Sequence, residues 1–75
     1  MRRKPVGLPG LGKRISKARA VAGLTQEALG AAVGVDRQTV YRWEAEDREP
    51  SARHVAAVVR VTGCGPGWLL GVEPS

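Results

Sequence analysis

Residues Gln26–Glu44 read QEALGAAVGVDRQTVYRWE. Counting from Gln26, Gly30 is fifth, Gly34 ninth and Val40 fifteenth, with Trp43 three residues further on. Each has a mechanical reason to be there. Two helices that cross at about 90 to 120° over a turn of three or four residues need minimal bulk where their backbones approach, which Gly30 supplies. The turn needs a residue that tolerates positive φ, and Gly34 does so. Val40 and Trp43 then anchor the second helix to what lies behind it. At about 100° per residue, Arg37, Gln38, Tyr41, Arg42 and Ala45 share an arc of roughly 140° opposite Thr39, Val40 and Trp43. One face is built to be buried, and the other lacks carboxylates and is rich in hydrogen-bond donors.

Working outward, Leu11, Ile15, Ala18 and Ala22 recur at helical spacing until Gly23. Thr25 is placed to cap the helix that ends at Gly34, with Leu29 and Val33 buried. Asp36 caps the next, to about Ala45. Pro50 and Ser51 open a fourth, whose inner stripe is expected at Val55, Val58, Val59 and Thr62, with Gly63 as its stop. This phase leaves His54, Ala57 and Val61 outward. Pro66 to Leu70 forms a last short turn, in which Trp68 and Leu69 or Leu70 close the core, and Cys64 reads as a small core residue. The expected fold is all-α, a bundle of five short helices. It divides as a basic arm over 1–10, a domain over 11–72 and a tail over 73–75.

Seventy-five residues hold one small core. Residues 1–26 carry seven basic side chains and no acid, whereas 27–75 carry five basic and seven acidic. Such asymmetry suits a polyanion, either nucleic acid or a membrane surface. Phe is absent and aromatics are few, so there is no row of rings for stacking unpaired bases, and duplex is favoured. No apolar run has the length of a membrane span, and the chain is expected to be soluble and cytoplasmic. One cysteine and one histidine, both isolated, give neither a disulfide nor a metal site. Gly7–Lys13 (GLPGLGK) matches half of a phosphate-binding loop, but Arg14 follows it where a hydroxyl is needed and no strand precedes it. No catalytic constellation or cofactor site is found.

The segments LGKRISKAR, GLTQEALGAAVGVDRQTVYRWE and GWLLG, spanning about Leu11 to Gly71, resemble the phage repressor and Cro type of helix-turn-helix, also called lambda-repressor-like or xenobiotic-response-element proteins. The resemblance implies five helices, the third entering the DNA major groove. It implies a phosphate contact from Gln26, groove positions for Arg37, Gln38, Tyr41 and Arg42, and a buried ion pair between Arg19 and Glu44. Two departures stand out. Where the family often has Asn-Gly-Lys after the recognition helix, this chain has Ala45, Glu46, Asp47, Arg48 and Glu49, and three carboxylates near a polyanion cost affinity. The inner face of the fourth helix is Val and Ala where Leu is usual.

The expectation is a sequence-specific regulator of double-stranded DNA, a repressor that occupies its operator. Arginine forms two parallel hydrogen bonds with guanine and glutamine with adenine, which suits Arg37, Gln38 and Arg42 to base edges, while Tyr41 suits a thymine methyl or a phosphate. Phosphate contacts fall to Gln26, Thr25, Lys13, Arg14, Lys17 and Arg48. Pro66, Leu69 and Val72 are candidates for a weak homodimer on an inverted repeat. The alternative, kept open by the acids of Glu46 to Glu49, is a protein-interaction module of the same fold, such as an antitoxin or coactivator-like adaptor.

Overall fold

The computed structural model describes residues 9–72. Residues 1–8 of the arm expected over 1–10, and the tail over 73–75, lie outside the described residues. Five helices follow one another: α1 (Leu11–Val21), α2 (Gln26–Val33), α3 (Arg37–Glu44), α4 (Ala52–Thr62) and α5 (Pro66–Leu69). There is no strand among the described residues.

Local chemistry starts the three middle helices. The Thr25 hydroxyl oxygen accepts from the Ala28 N–H at 3.0 Å, and an Asp36 carboxylate oxygen accepts from the Thr39 N–H at 2.9 Å. Ser51 Oγ accepts from the His54 N–H at 3.3 Å. Each satisfies a backbone donor that the first helical turn leaves without a partner. Gly34 ends α2 at φ 92°, a left-handed conformation that a side chain with a Cβ disfavours.

Ile15, Leu29, Val40, Val58 and Leu69 are fully buried and draw one residue from each helix into a single core, with Leu11 and Trp43 beside them. Cys64 and Trp68 pack against this cluster, as their positions in the sequence suggest. Ala22 does not continue the α1 stripe, because the helix has ended and Ala22 is exposed as its C-cap.

α4 buries a wider face than the expected stripe. Ala57 and Val58 are the buried residues, Val61 packs on the core, and His54 stacks on Trp43 with ring centroids 5.3 Å apart. The expected Val55, Val58 and Val59 all meet the core, and the inner face extends beyond them to 54, 57 and 61. Ala57, Val61 and His54 are inward rather than outward. The cause is composition: α4 is Val and Ala around most of its circumference, so a wide face buries apolar surface. Val55 and Val59, at the edge of this face, pack on the core and also line an open groove of about 700 Å³ with Ala56, Pro66 and Leu70. The Thr62 hydroxyl donates back to the Val58 carbonyl at 2.7 Å.

Leu69 is also placed differently from its role as a dimer candidate. It has no exposed surface, whereas its neighbour Leu70 is half-buried at the groove. Removing a fully buried leucine side chain leaves a cavity that costs about 2 to 5 kcal/mol. In urea denaturation Leu69→Ala is expected to lose a stability in that range and Leu70→Ala much less; equal losses would contradict the assignment of Leu69 to the core.

Candidate nucleic-acid interface

The turn that carries α3 is tightly closed. A Cβ added at Gly30 would lie 2.6 Å from the Val35 carbonyl oxygen and 3.2 Å from that of Asp36, so only glycine allows α2 and the turn to meet. Val40 and Trp43 face inward from α3, at 0% and 2% exposure. Arg37, Gln38, Tyr41, Arg42 and Ala45 are all exposed. No hydrogen bond or ion pair within the described residues holds the side chains of Arg37, Gln38, Tyr41 or Arg42, so their donors are free for another molecule.

Behind this face lies one carboxylate with three donors. Glu44 Oε2 accepts from Arg19 Nε at 2.6 Å, and Glu44 Oε1 accepts both a second guanidinium nitrogen at 3.1 Å and Gln26 Nε2 at 3.0 Å. Arg19 also donates to the Leu24 carbonyl at 2.9 Å, closing the turn between α1 and α2. The two charged side chains keep 19% and 10% of their surface. The hydrogen bond that Arg19 donates to Glu44, assisted by the carboxylate's charge, raises the Arg19 pKa against the opposing effect of burial. The pair implied by the resemblance is thus formed, and it takes in Gln26 as well. Gln26 Nε2 carries a second hydrogen, which Glu44 does not use.

The remaining candidates fall into two groups. Lys13 and Lys17 are exposed on α1, one helical turn apart, and Thr25 and Arg48 are also exposed. Arg14 is engaged elsewhere. Its Nε donates to the Leu69 carbonyl and a terminal nitrogen to the Pro9 carbonyl, both at 2.9 Å, so it joins the start of α1 to α5. Two further contacts were not foreseen from the sequence. One is the His54 stack on Trp43. The other involves Glu46, the only non-glycine residue with positive φ among those described (59°), whose carboxylate accepts from the Gly12 N–H at 2.8 Å. Glu46 is therefore committed to α1, which removes one of the three carboxylates that the sequence set against a polyanion and weakens the ground for an acidic protein-docking loop. Asp47 and Glu49 stay exposed.

A short helix with a free donor-rich face, held at its back by an ion pair and set on a glycine-closed turn, defines a helix-turn-helix module. Residues 15–69 match the protein family described as Helix-turn-helix, and the chain belongs to that family. Over 60 residues it is 33% identical to Repressor protein C2 of Salmonella phage P22, an alignment that covers 80% of this chain and 28% of that protein. It is also 33% identical over 60 residues to the HTH-type transcriptional regulator DicA of Escherichia coli (strain K12), covering 80% of this chain and 44% of the relative. The chain spans less than half the length of either relative. The fold is similar to the crystal structure of the P22 c2 repressor protein in complex with synthetic operator 9T, with a TM-score of 0.76, 31% identity, and coverage of 91% of this chain and 100% of that one. It is similar too to the solution structure of the DNA-binding domain of the same repressor, with a TM-score of 0.78, 30% identity, and coverage of 96% and 92%.

Truncating one member of the Arg19–Glu44 pair strands the other in a largely dry site. Arg19→Ala and Glu44→Ala are each expected to cost about 3 kcal/mol, the lower end for breaking a buried pair because both side chains keep some exposure. Replacing both with apolar residues is expected to cost less than the sum. A double-mutant cycle by thermal unfolding checks this, and small additive losses would contradict it.

The Asp36 cap gives a pH dependence. Hydrogen bonds from Thr39 hold the Asp36 carboxyl below the usual carboxylate range. A lowered folded pKa means that its stabilisation is complete above the ordinary value and is lost as the pH falls through the lowered one. Acidification from about pH 5 to pH 2 should therefore reduce the melting temperature of the unmodified protein more than that of Asp36→Asn, which keeps a capping oxygen without the titration. Parallel losses in the two proteins would show that the carboxylate contributes nothing.

Proposed function

We propose that this domain is a sequence-specific double-stranded DNA-binding module of a transcriptional regulator, a repressor that acts by occupying its operator in the cytoplasm. The observation that carries the reading is the exposed and unpaired face of Arg37, Gln38, Tyr41 and Arg42 on a helix fixed from behind by Glu44. Arg37 and Gln38 lie in the first turn of α3, where a helix entering the major groove end-on meets the base edges. Arg42 lies one turn further along, and Tyr41 between them contacts a thymine methyl or a phosphate. The P22 c2 repressor, similar in fold over most of this chain, was crystallised in complex with a synthetic operator, which supports DNA as the partner here.

Lys13, Lys17, Thr25, Arg48 and the spare hydrogen of Gln26 supply phosphate contacts that set register and strength. Arg14 contributes less, since two of its three nitrogens already serve carbonyls. A single module buries roughly 600 to 1,000 Å² on DNA, little for tight selective binding, which favours two copies on an inverted repeat. The groove of Val55, Ala56, Val59, Pro66 and Leu70, with Val72 exposed nearby at 73%, is the surface proposed for the second copy.

Selection of bound sites from random duplex tests the reading. An enriched inverted repeat with half-site centres about 10 to 11 base pairs apart is expected. Arg37→Ala or Gln38→Ala should cost about 1 to 3 kcal/mol at one base pair and relax the preference there, whereas Lys13→Ala or Lys17→Ala should weaken all sequences alike and flatten the salt slope by about one. Unchanged relative affinities in Arg37→Ala would contradict the assignment of the face.

A further inference from the structure

The C-terminal end of α3 is closed by a motif that normally uses glycine. The Glu46 N–H donates to the Trp43 carbonyl at 3.1 Å and the Asp47 N–H to the Arg42 carbonyl at 2.9 Å, the two bonds of a Schellman turn, with Glu46 in its left-handed position. A side chain with a Cβ is disfavoured there, so the presence of glutamate calls for a use of its carboxylate. That use is the Gly12 N–H, 34 positions away in sequence. α1 needs it. Its N-cap is Gly10, which offers no side-chain acceptor, and its first turn contains no acidic residue. Glu46 supplies across the fold both the missing acceptor and the negative charge that a helix N-terminus favours.

The contact is close on both sides. A Cβ at Gly12 would lie 2.5 Å from the Glu44 carbonyl oxygen and 2.7 Å from that of Trp43, so the start of α1 rests directly on the carbonyl end of α3. Seven residues further along α1, about 10 Å at the helical rise, Arg19 grips the Glu44 carboxylate. Added to the anchoring of α3 by Val40 and Trp43 in the core, two attachments separated along α1 restrict the rocking of its C-terminal end.

We propose, building on the DNA-binding reading above, that Glu46 is a positioning residue for sequence recognition: by capping α1 it sets the angle at which α3 presents Arg37, Gln38 and Arg42. Paired hydrogen bonds to a base edge demand that angle, since a helix free to rock meets the right and wrong bases more nearly equally.

Three variants separate this role from general stability. Glu46→Gly relaxes the backbone and deletes the acceptor. Glu46→Asn tolerates the left-handed conformation and is too short to reach Gly12. Glu46→Gln keeps an oxygen for the Gly12 N–H. At a temperature where all are folded, Glu46→Gly and Glu46→Asn should lower the ratio of affinities for the selected operator and single-base variants of it by severalfold, up to the roughly tenfold that full coupling of a charge-assisted hydrogen bond to base choice allows. In both, the Gly12 amide proton should shift upfield and exchange faster with solvent. Glu46→Gln should restore most of the ratio and the protection. An unmoved Gly12 resonance in Glu46→Gly, an unchanged ratio, or a failure of Glu46→Gln to rescue would each overturn the proposal. If the unmodified protein enriches no sequence, the DNA-binding reading fails and this one falls with it, while the Gly12 amide still reports the cap separately.

Discussion

The Glu44 carboxylate is where three helices meet. Through Arg19 it holds α1, through Gln26 it holds α2, and its own backbone belongs to α3. An isolated eight-residue helix is not stable in water, so α3 exists because its neighbours hold it. The apolar share of that support is thin, since the fully buried set is one isoleucine, two leucines and two valines. In a core of this size a satisfied ionic cluster matters for geometry more than for net energy. The desolvation of two charges cancels much of their attraction, but any rearrangement of α3 must leave one of them unpaired.

The labour on α3 is divided along its circumference. Val40, Trp43 and Glu44 carry the fold, and the side chains of Arg37, Gln38, Tyr41 and Arg42 make no contact on which the fold depends. The two ends are closed by different means, the first by the Asp36 carboxylate and the second by a backbone turn in which glutamate replaces the usual glycine. The exposed residues are thus free to be exchanged without refolding the domain.

What the sequence made legible is local. Thr25, Asp36 and Ser51 announce helix starts by their own chemistry, and Gly30 and Gly34 mark the turn because nothing larger or stiffer fits. The exposed face of α3 was legible because Arg, Gln and Tyr contrast sharply with Val and Trp. α4 offered no such contrast: Val55, Val58 and Val59 meet the core as their spacing implies, but Trp43, whose ring takes His54, widens the inner face to residues the sequence set outside. Leu69 and Leu70 are chemically identical, and only the path of the chain after Gly65 decides which is buried. The Glu46 cap was hidden for another reason: the residue occupies a backbone conformation its type disfavours, and its partner is an N–H, which has no identity in a sequence.

The Arg14 guanidinium has a consequence for how this module can be joined to other chains. By reaching the carbonyls of both Pro9 and Leu69, it brings the start of the first helix and the close of the last within the span of a single side chain. The entrance and exit of the folded unit therefore lie side by side, like the two pins of a plug. A module wired this way can be appended to, or inserted in, a longer polypeptide without stretching any of its five helices.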